Sequence, residues 1–439
     1  MSTGGMTPAP RGKANRATIS VVGGMALAAL AAYGYQVIAG RALGASRFSP
    51  VSALWTIQFL FLTVVLVPVE QLIVRYLARG GSTRSAAREI GPAIGTLIAT
   101  SMVLGSLVVV SQRDRLFDGS WGYLLTAFGV FVGFSLYMVV RGLLAGRRQF
   151  GAYGLLVGGE AVSRTAAAGL VAWLIAEPVW FGWAMVAGTP FALLVLVRSP
   201  TSQSGRLPPR GMDEFESPGF LLALTAGNGA AQTLLGVGPL LVGLLGATPG
   251  EVSAFFGVFT LARGPLTMST ALLARFLPAL VDHVHARRFD RLWGWSRTCA
   301  AVAVMASVIG GVCAYQFGPA LTAALYGPSF RPDAGVIALV SMGAALGAGT
   351  FFGGQALVAM GRVGLLAGCW ILGLVVAGVV VLVVGGDPPF RVALSFALGE
   401  TVALPCALVS VRLALSRERC TASSEGLNPA RPSGCRERG

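Results

Sequence analysis

The sequence predicts an all-α integral membrane protein with about twelve transmembrane helices in two pseudo-symmetric six-helix lobes. Three observations predict it. Only 12% of the 439 residues are charged, whereas 54% are hydrophobic. The charges gather in short clusters separated by apolar runs of about 20 residues, the length that crosses a hydrocarbon core as a helix. One polar stretch rich in Pro, Ser and Gly, SPTSQSGRLPPRGMDEFESP over Ser199–Pro218, has six runs on either side.

The expected spans are 18–40, 50–74, 90–111, 121–141, 152–175, 178–197, 218–245, 252–280, 298–317, 334–360, 363–385 and 391–413. The first follows Arg11, Lys13 and Arg16, the polarity of a signal peptide, but it is too long for a signal core and leads directly into a second span. The expected organisation is a cytoplasmic N-terminus (1–17), an N-terminal lobe (18–198), a cytoplasmic linker (199–217), a C-terminal lobe (218–415) and a disordered basic tail (416–439). The 60 glycines suit close helix packing in lipid, where small residues let backbones approach.

Orientation follows from the Arg/Lys bias. With the N-terminus cytoplasmic, inner segments hold 24 of the 33 basic residues and outer segments hold six: Arg41, Arg47, Arg113, Arg115, Arg331 and Arg391. Such an excess marks the cytoplasmic side and places both termini there, in a multi-pass protein of the cell membrane. Two short matches suggest that the halves repeat. Leu43-Gly44-Ala45-Ser46 is echoed by Leu245-Gly246-Ala247-Thr248, and Arg75-Tyr76-Leu77 by Arg275-Phe276-Leu277. Six spans per half start each repeat on the same side, so the repeats are parallel.

The net charge of +15 does not indicate nucleic acid, because the basic residues alternate from loop to loop. The loops are too short for a soluble catalytic domain, and no nucleophile elbow, phosphate-binding Gly-rich loop or His-Glu-x-x-His motif is present. The chain is therefore not expected to be an enzyme, and no cofactor or metal is expected. His283 and His285, two apart, point to different helical faces. Cys299, Cys313, Cys369, Cys406, Cys420 and Cys435 contain no Cys-x-x-Cys pair, and the first four read as buried small hydrophobes.

Charges inside a bilayer are costly and face a cavity or a partner. The spans hold Glu70, Glu160 and Glu400, and Arg164, Arg263 and Arg275. Glu160 and Arg164, four apart, share a helix face: they are either a self-neutralised pair or the lining of a water-filled cavity. Glu70 and Gln71 follow Pro68, which can kink the span. They form either a gate or proton site, or a carboxylate reaching Arg75 or Arg79 near the interface. Arg263, near mid-span, requires a carboxylate such as Glu400 or a phosphate. Arg275, near the inner end, can snorkel.

Several segments resemble one family. Gly34-Tyr35-Gln36-Val37-Ile38-Ala39-Gly40-Arg41-Ala42-Leu43-Gly44-Ala45-Ser46 and Glu70-Gln71-Leu72-Ile73-Val74-Arg75-Tyr76-Leu77-Ala78 resemble the first two helices of polysaccharide-biosynthesis transporters. These belong to the multidrug/oligosaccharidyl-lipid/polysaccharide exporter superfamily. Gly142-Leu143-Leu144-Ala145-Gly146-Arg147 is similar to that family's inner glycine/arginine turn, and Gln355-Ala356-Leu357-Val358-Ala359-Met360-Gly361-Arg362 to its counterpart in the second half. The lipid II flippase branch has fourteen helices and cavity arginines near its start, and the drug-extruding branch often has an acid in its first helix. This chain has neither feature. Arg79-Gly80-Gly81-Ser82-Thr83-Arg84 does not match the Asp-Arg-x-Gly-Arg signature of major facilitators.

The resemblance implies flipping of an undecaprenyl-diphosphate-type, lipid-linked oligosaccharide by alternating access, for export of cell-surface polysaccharide. Arg263, Arg164, Glu160, Glu70, Gln71 and Glu400 are the cavity candidates. Expected partners are the lipid-linked saccharide, membrane lipids, and a glycan polymerase or glycosyltransferases, with no nucleic acid. The alternatives are a drug or cation antiporter of the same fold and a non-transporting membrane scaffold.

Overall fold

A computed structural model describes residues 11–198, 218–269 and 273–425. The described chain is helical throughout. In order the helices are α1 (Arg11–Leu60), α2 (Val67–Ala78), α3 (Thr83–Glu89), α4 (Gly91–Ser111), α5 (Arg113–Leu116), α6 (Gly122–Gly146), α7 (Phe150–Leu174), α8 (Pro178–Val186), α9 (Phe191–Arg198), α10 (Pro218–Leu234), α11 (Gly238–Leu244), α12 (Pro249–Ser269), α13 (Leu273–His285), α14 (Phe289–Tyr326), α15 (Ala334–Gly353), α16 (Gln355–Ala359), α17 (Val363–Val383) and α18 (Pro388–Glu425).

Among the described residues, nine helical stretches are long and apolar enough to cross a membrane. They contain ten of the twelve expected spans. Ser20–Ala78, 59 residues long, holds the first two, which are parted at Gly44 where the backbone turns left-handed (φ 70°, ψ 170°). The expected spans at 218–245 and 252–280 are not among the nine. The first is interrupted between Leu234 and Gly238, where α10 ends and α11 begins. The second comprises α12, which carries Glu251, Arg263 and Pro265, and α13, with residues 270–272 outside the described residues.

The repeat suggested by two short matches is visible in the backbone at the connections. In the first half, left-handed residues occur at Gly44, Gly80, Asp118 with Gly119, Arg148 and Ala176; in the second half, at Gly246, Arg287, Gly327, Gly361 and Gly386. Each set marks the five successive links between spans, in the same order. Left-handed residues commonly end helices because they free the chain to reverse. The parallel order extends a likeness that side chains preserve at only two places.

Two compact units contain these elements. The first holds chain up to Gly211 together with Pro239–Val258 and Ala320–Pro332; the second holds Met212–Gly238, Phe259–Pro319 and the chain from Asp333 onward. Within the first unit, the turn after Gly44 is packed on residues from the second half of the sequence. Arg41 donates through Nε to the carbonyl of Leu325 (2.8 Å) and through its other nitrogen to that of Ala324, capping the last turn of α14. Ala45 N donates to Ser329 Oγ (3.1 Å), and the ring of Phe48 lies 5.8 Å from Phe256 and 6.0 Å from Phe330. A side chain on Gly40 would come within 2.9 Å of Tyr326, so only glycine admits that ring. This cluster lies on the arginine-poor side.

Within the second unit, α17 and α18 cross backbone to backbone. A Cβ on Gly399 would come within 2.7 Å of the Gly373 carbonyl, and one on Gly373 within 2.9 Å of that of Gly399. The expected disorder from Ser416 does not hold as far as Glu425, because α18 continues without a break. Ion pairs hold this extension: Glu418 meets Arg362 at 3.1 Å and Arg419 meets Asp290 at 2.7 Å. The linker 199–217, residues 1–10 and the tail beyond Glu425 lie outside the described residues.

Candidate functional site: charges embedded in the spans

The first group is built where the second span bends. Phe61–Leu66 forms a π-helical turn immediately before Pro68, whose ring nitrogen cannot donate to the preceding turn. The wide turn and the proline together aim Glu70 inward. Arg141 of α6 meets it with two parallel bonds, Nε to Oε1 at 2.9 Å and a terminal nitrogen to Oε2 at 2.7 Å. Glu70 is buried, and Tyr153 of α7 donates to the same Oε1 at 3.4 Å. The guanidinium also lies 5.5 Å from the Tyr153 ring and 6.0 Å from Tyr137. Gly142, beside Arg141, keeps α6 close to α2, since a Cβ there would press on Ile73 and the Glu70 carbonyl.

Arg141 lies at the inner end of its expected span (121–141), among the basic residues that mark the cytoplasmic side; the fold makes it the partner of Glu70. Sequence alone gave no signal for this, because Arg141 begins a basic cluster with Arg147 and Arg148. Gln71, the neighbour of Glu70, is exposed and does not join the group.

The second group is the i, i+4 pair on α7. Glu160 and Arg164 are 4% and 8% exposed, and their nearest charged atoms are 3.5 Å apart. That is longer than the 2.7–2.9 Å of a charge-assisted hydrogen bond. Glu160 Oε1 and Arg164 Nε are buried without a hydrogen-bond partner among the described residues. Aromatic faces flank the guanidinium instead, Trp55 at 5.0 Å and Phe134 at 5.7 Å. Tyr35 stacks on Trp55 at 5.0 Å and donates to the Phe181 carbonyl at 2.6 Å. The ring of Tyr137 lies 6.0 Å from the Arg141 guanidinium and 5.9 Å from Phe134, which flanks Arg164, so it links the two groups. Four alternating charges therefore run through the first unit.

The second unit is arranged differently. Arg263 on α12 is half-buried, with its guanidinium carbon 5.5 Å from the ring of Phe259 one turn earlier. Phe259 stacks at 5.1 Å on Phe396 of α18, and Glu400 follows Phe396 by one turn. Both charges thus lie one turn beyond a common aromatic contact, and the expected Arg263–Glu400 ion pair does not form, since neither Glu400 oxygen has a partner among the described residues. Glu400 is fully buried, and both its carboxylate oxygens lack hydrogen-bond partners among the described residues. It packs against α15 at Gly347, where a Cβ would come within 2.9 Å of Oε1. Arg275 lies on α13, but its side chain is outside the described residues. No cluster of three or more His, Cys, Asp or Glu residues able to hold a metal occurs among those described.

No protein-family model matches the sequence. The uncharacterized protein Rv1510 of Mycobacterium tuberculosis (strain ATCC 25618 / H37Rv) is 28% identical over 431 residues, covering 92% of this chain and 94% of the relative. The uncharacterized protein Mb3654 of Mycobacterium bovis (strain ATCC BAA-935 / AF2122/97) is 29% identical over 351 residues, covering 73% and 75%. Among solved structures, a multidrug resistance MATE family transporter of the MOP superfamily is similar in its outward-facing conformation, with TM-score 0.59 and 13% identity over 92% of this chain and 96% of that one. The inward-facing conformation gives TM-score 0.58 and 15% identity over 89% and 96%. An Asp-to-Asn mutant of the Vibrio cholerae MATE transporter VcmN gives 0.58 and 13% over 92% and 98%. With its apolar helices, this similarity shows a multi-pass membrane protein that has the fold of the MATE transporters of the MOP superfamily.

Proposed function

We propose that the chain is an alternating-access transporter that flips an undecaprenyl-diphosphate-type, lipid-linked oligosaccharide across the cytoplasmic membrane, both of its termini being cytoplasmic. The observation that carries the cargo assignment is the loose Glu160–Arg164 pair. A guanidinium buried among aromatic rings, with its Nε donor unspent and its carboxylate 3.5 Å away, can turn to a passing phosphate at low cost. Arg263 supplies a second guanidinium at depth in the other unit, suited by shape to bidentate phosphate contact. Access to the outside would be gated by the packing of Arg41, Phe48 and Tyr326, which joins the outer ends of spans from both halves of the sequence.

A deletion strain tests this reading. Loss of the chain should leave lipid-linked saccharide on the inner leaflet and reduce surface glycan, and unchanged surface glycan would count against the cargo. The gate has its own test. In Ser46→Cys/Gly250→Cys, where a Cβ on Gly250 lies 3.9 Å from Ser46 Oγ, cross-linking should stop transport reversibly.

A drug or cation antiporter is the second reading. Glu400 favours it, because a fully buried carboxylate without hydrogen bonds is a natural place for a proton or small cation. A proton or sodium gradient that drives dye efflux from vesicles, lost in Glu400→Gln, would decide for this reading.

A further inference from the structure

Two cysteines that sequence spacing treats as unrelated meet in the second unit. Cys406 on α18 points its thiol at Cys369 on α17, with the sulfurs 3.0 Å apart. Cys369 is also held in place. It donates to the Leu365 carbonyl (3.1 Å), and the Ser410 hydroxyl lies 3.4 Å from its sulfur. The register is set by the crossing at Gly373 and Gly399, one turn from Cys369 and about two turns from Cys406, where neither helix leaves room for a side chain. Both thiols are free, Cys369 buried and Cys406 half-buried.

We propose that Cys369 and Cys406 are a redox-active thiol pair, closed by a two-electron oxidant into a disulfide that staples α17 to α18. The sulfurs must approach from 3.0 Å to about 2.05 Å for the bond to form. With hydrogen peroxide as the oxidant, the more accessible Cys406 sulfur takes one oxygen to become a sulfenic acid, releasing one water. Cys369 then attacks that sulfur, the S–S bond forms and a second water leaves. Two thiols are oxidised and one peroxide is reduced to two waters. A membrane quinone reduced to its quinol would serve as well. The inference is independent of what the protein carries.

The test uses the full-length protein, purified reduced in detergent. After exposure to hydrogen peroxide it is denatured under acid quench, alkylated and mapped by mass spectrometry. The expected result is loss of two hydrogens from the intact mass and a Cys369–Cys406 cross-linked peptide, with Cys299 and Cys313 still alkylated. Dithiothreitol should restore alkylation at both sites, and Cys406→Ser should leave Cys369 alkylatable after the same treatment. Recovery of both cysteines as free thiols would overturn the proposal. So would over-oxidation of Cys406 to the sulfinic acid while Cys369 remains a thiol.

Discussion

The interiors of the two units handle embedded charge in opposite ways. In the first, Glu70 is matched by Arg141 through two hydrogen bonds, and Glu160 faces Arg164 on the same helix. In the second, Arg263 and Glu400 each lie one turn beyond one aromatic contact, and Glu400 has no hydrogen-bond partner among the described residues. Removing a partner from a buried pair is expensive because the remaining charge is stranded, whereas removing the Glu400 carboxylate, which has no hydrogen-bond partner among the described residues, strands nothing. The tight Glu70–Arg141 pair therefore contributes structure, and the loosely held Arg164 and the unbonded Glu400 are the groups available to a cargo or ion.

This contrast predicts an order of effects. The largest loss of stability should follow Arg141→Ala, which strands Glu70 and removes the contacts to Tyr137 and Tyr153. Thermal denaturation in detergent should register a loss of about 3–5 kcal/mol. Glu70→Gln combined with Arg141→Gln should recover much of it, and equal losses in the single and double variants would contradict the pairing. Trp55→Leu should be milder, at about 0.5–2 kcal/mol, because it removes one aromatic face from Arg164 while the Glu160 contact remains. Glu400→Gln should be the smallest, within about 1 kcal/mol of the parent, since no partner loses a bond. A loss there as large as that of Arg141→Ala would show that Glu400 is a structural anchor, and the contrast between the units would fail.

For transport the order reverses. Arg263→Ala should abolish glycan export in a complementation assay and Arg263→Lys should impair it, both at normal protein levels, because an ammonium cannot make the guanidinium's two parallel contacts. Arg275→Ala, toward the cytoplasmic end, should be mild. If Arg263→Lys supports full export, bidentate phosphate contact is not its role.

What the sequence disclosed divides along physical lines. Spans are written in local composition, so nearly all were legible. The interruption within 218–245 was not legible, because the apolar window averages over residues 235–237, where α10 ends before α11 begins. The i, i+4 spacing of Glu160 and Arg164 put them on one helix face, where they meet at 3.5 Å. The partner of Glu70 could not be read, because Arg141 is 71 residues away and reaches it only when α2 packs on α6. The meeting of Cys369 and Cys406 is equally non-local, fixed by the α17–α18 crossing. The internal repeat was faint in side chains and plain in backbone turns, where conformation rather than residue type recurs.

The most direct test of the central claim is reconstitution of the purified protein in vesicles. An undecaprenyl-diphosphate-linked oligosaccharide would be placed in both leaflets, and its exposure to an impermeant lectin would be followed over time. The account predicts that the protected inner pool becomes exposed with the parent protein but not with Arg263→Ala. An inner pool that stays protected as in protein-free vesicles, while the same preparation moves a cationic dye down an imposed ion gradient, would contradict it.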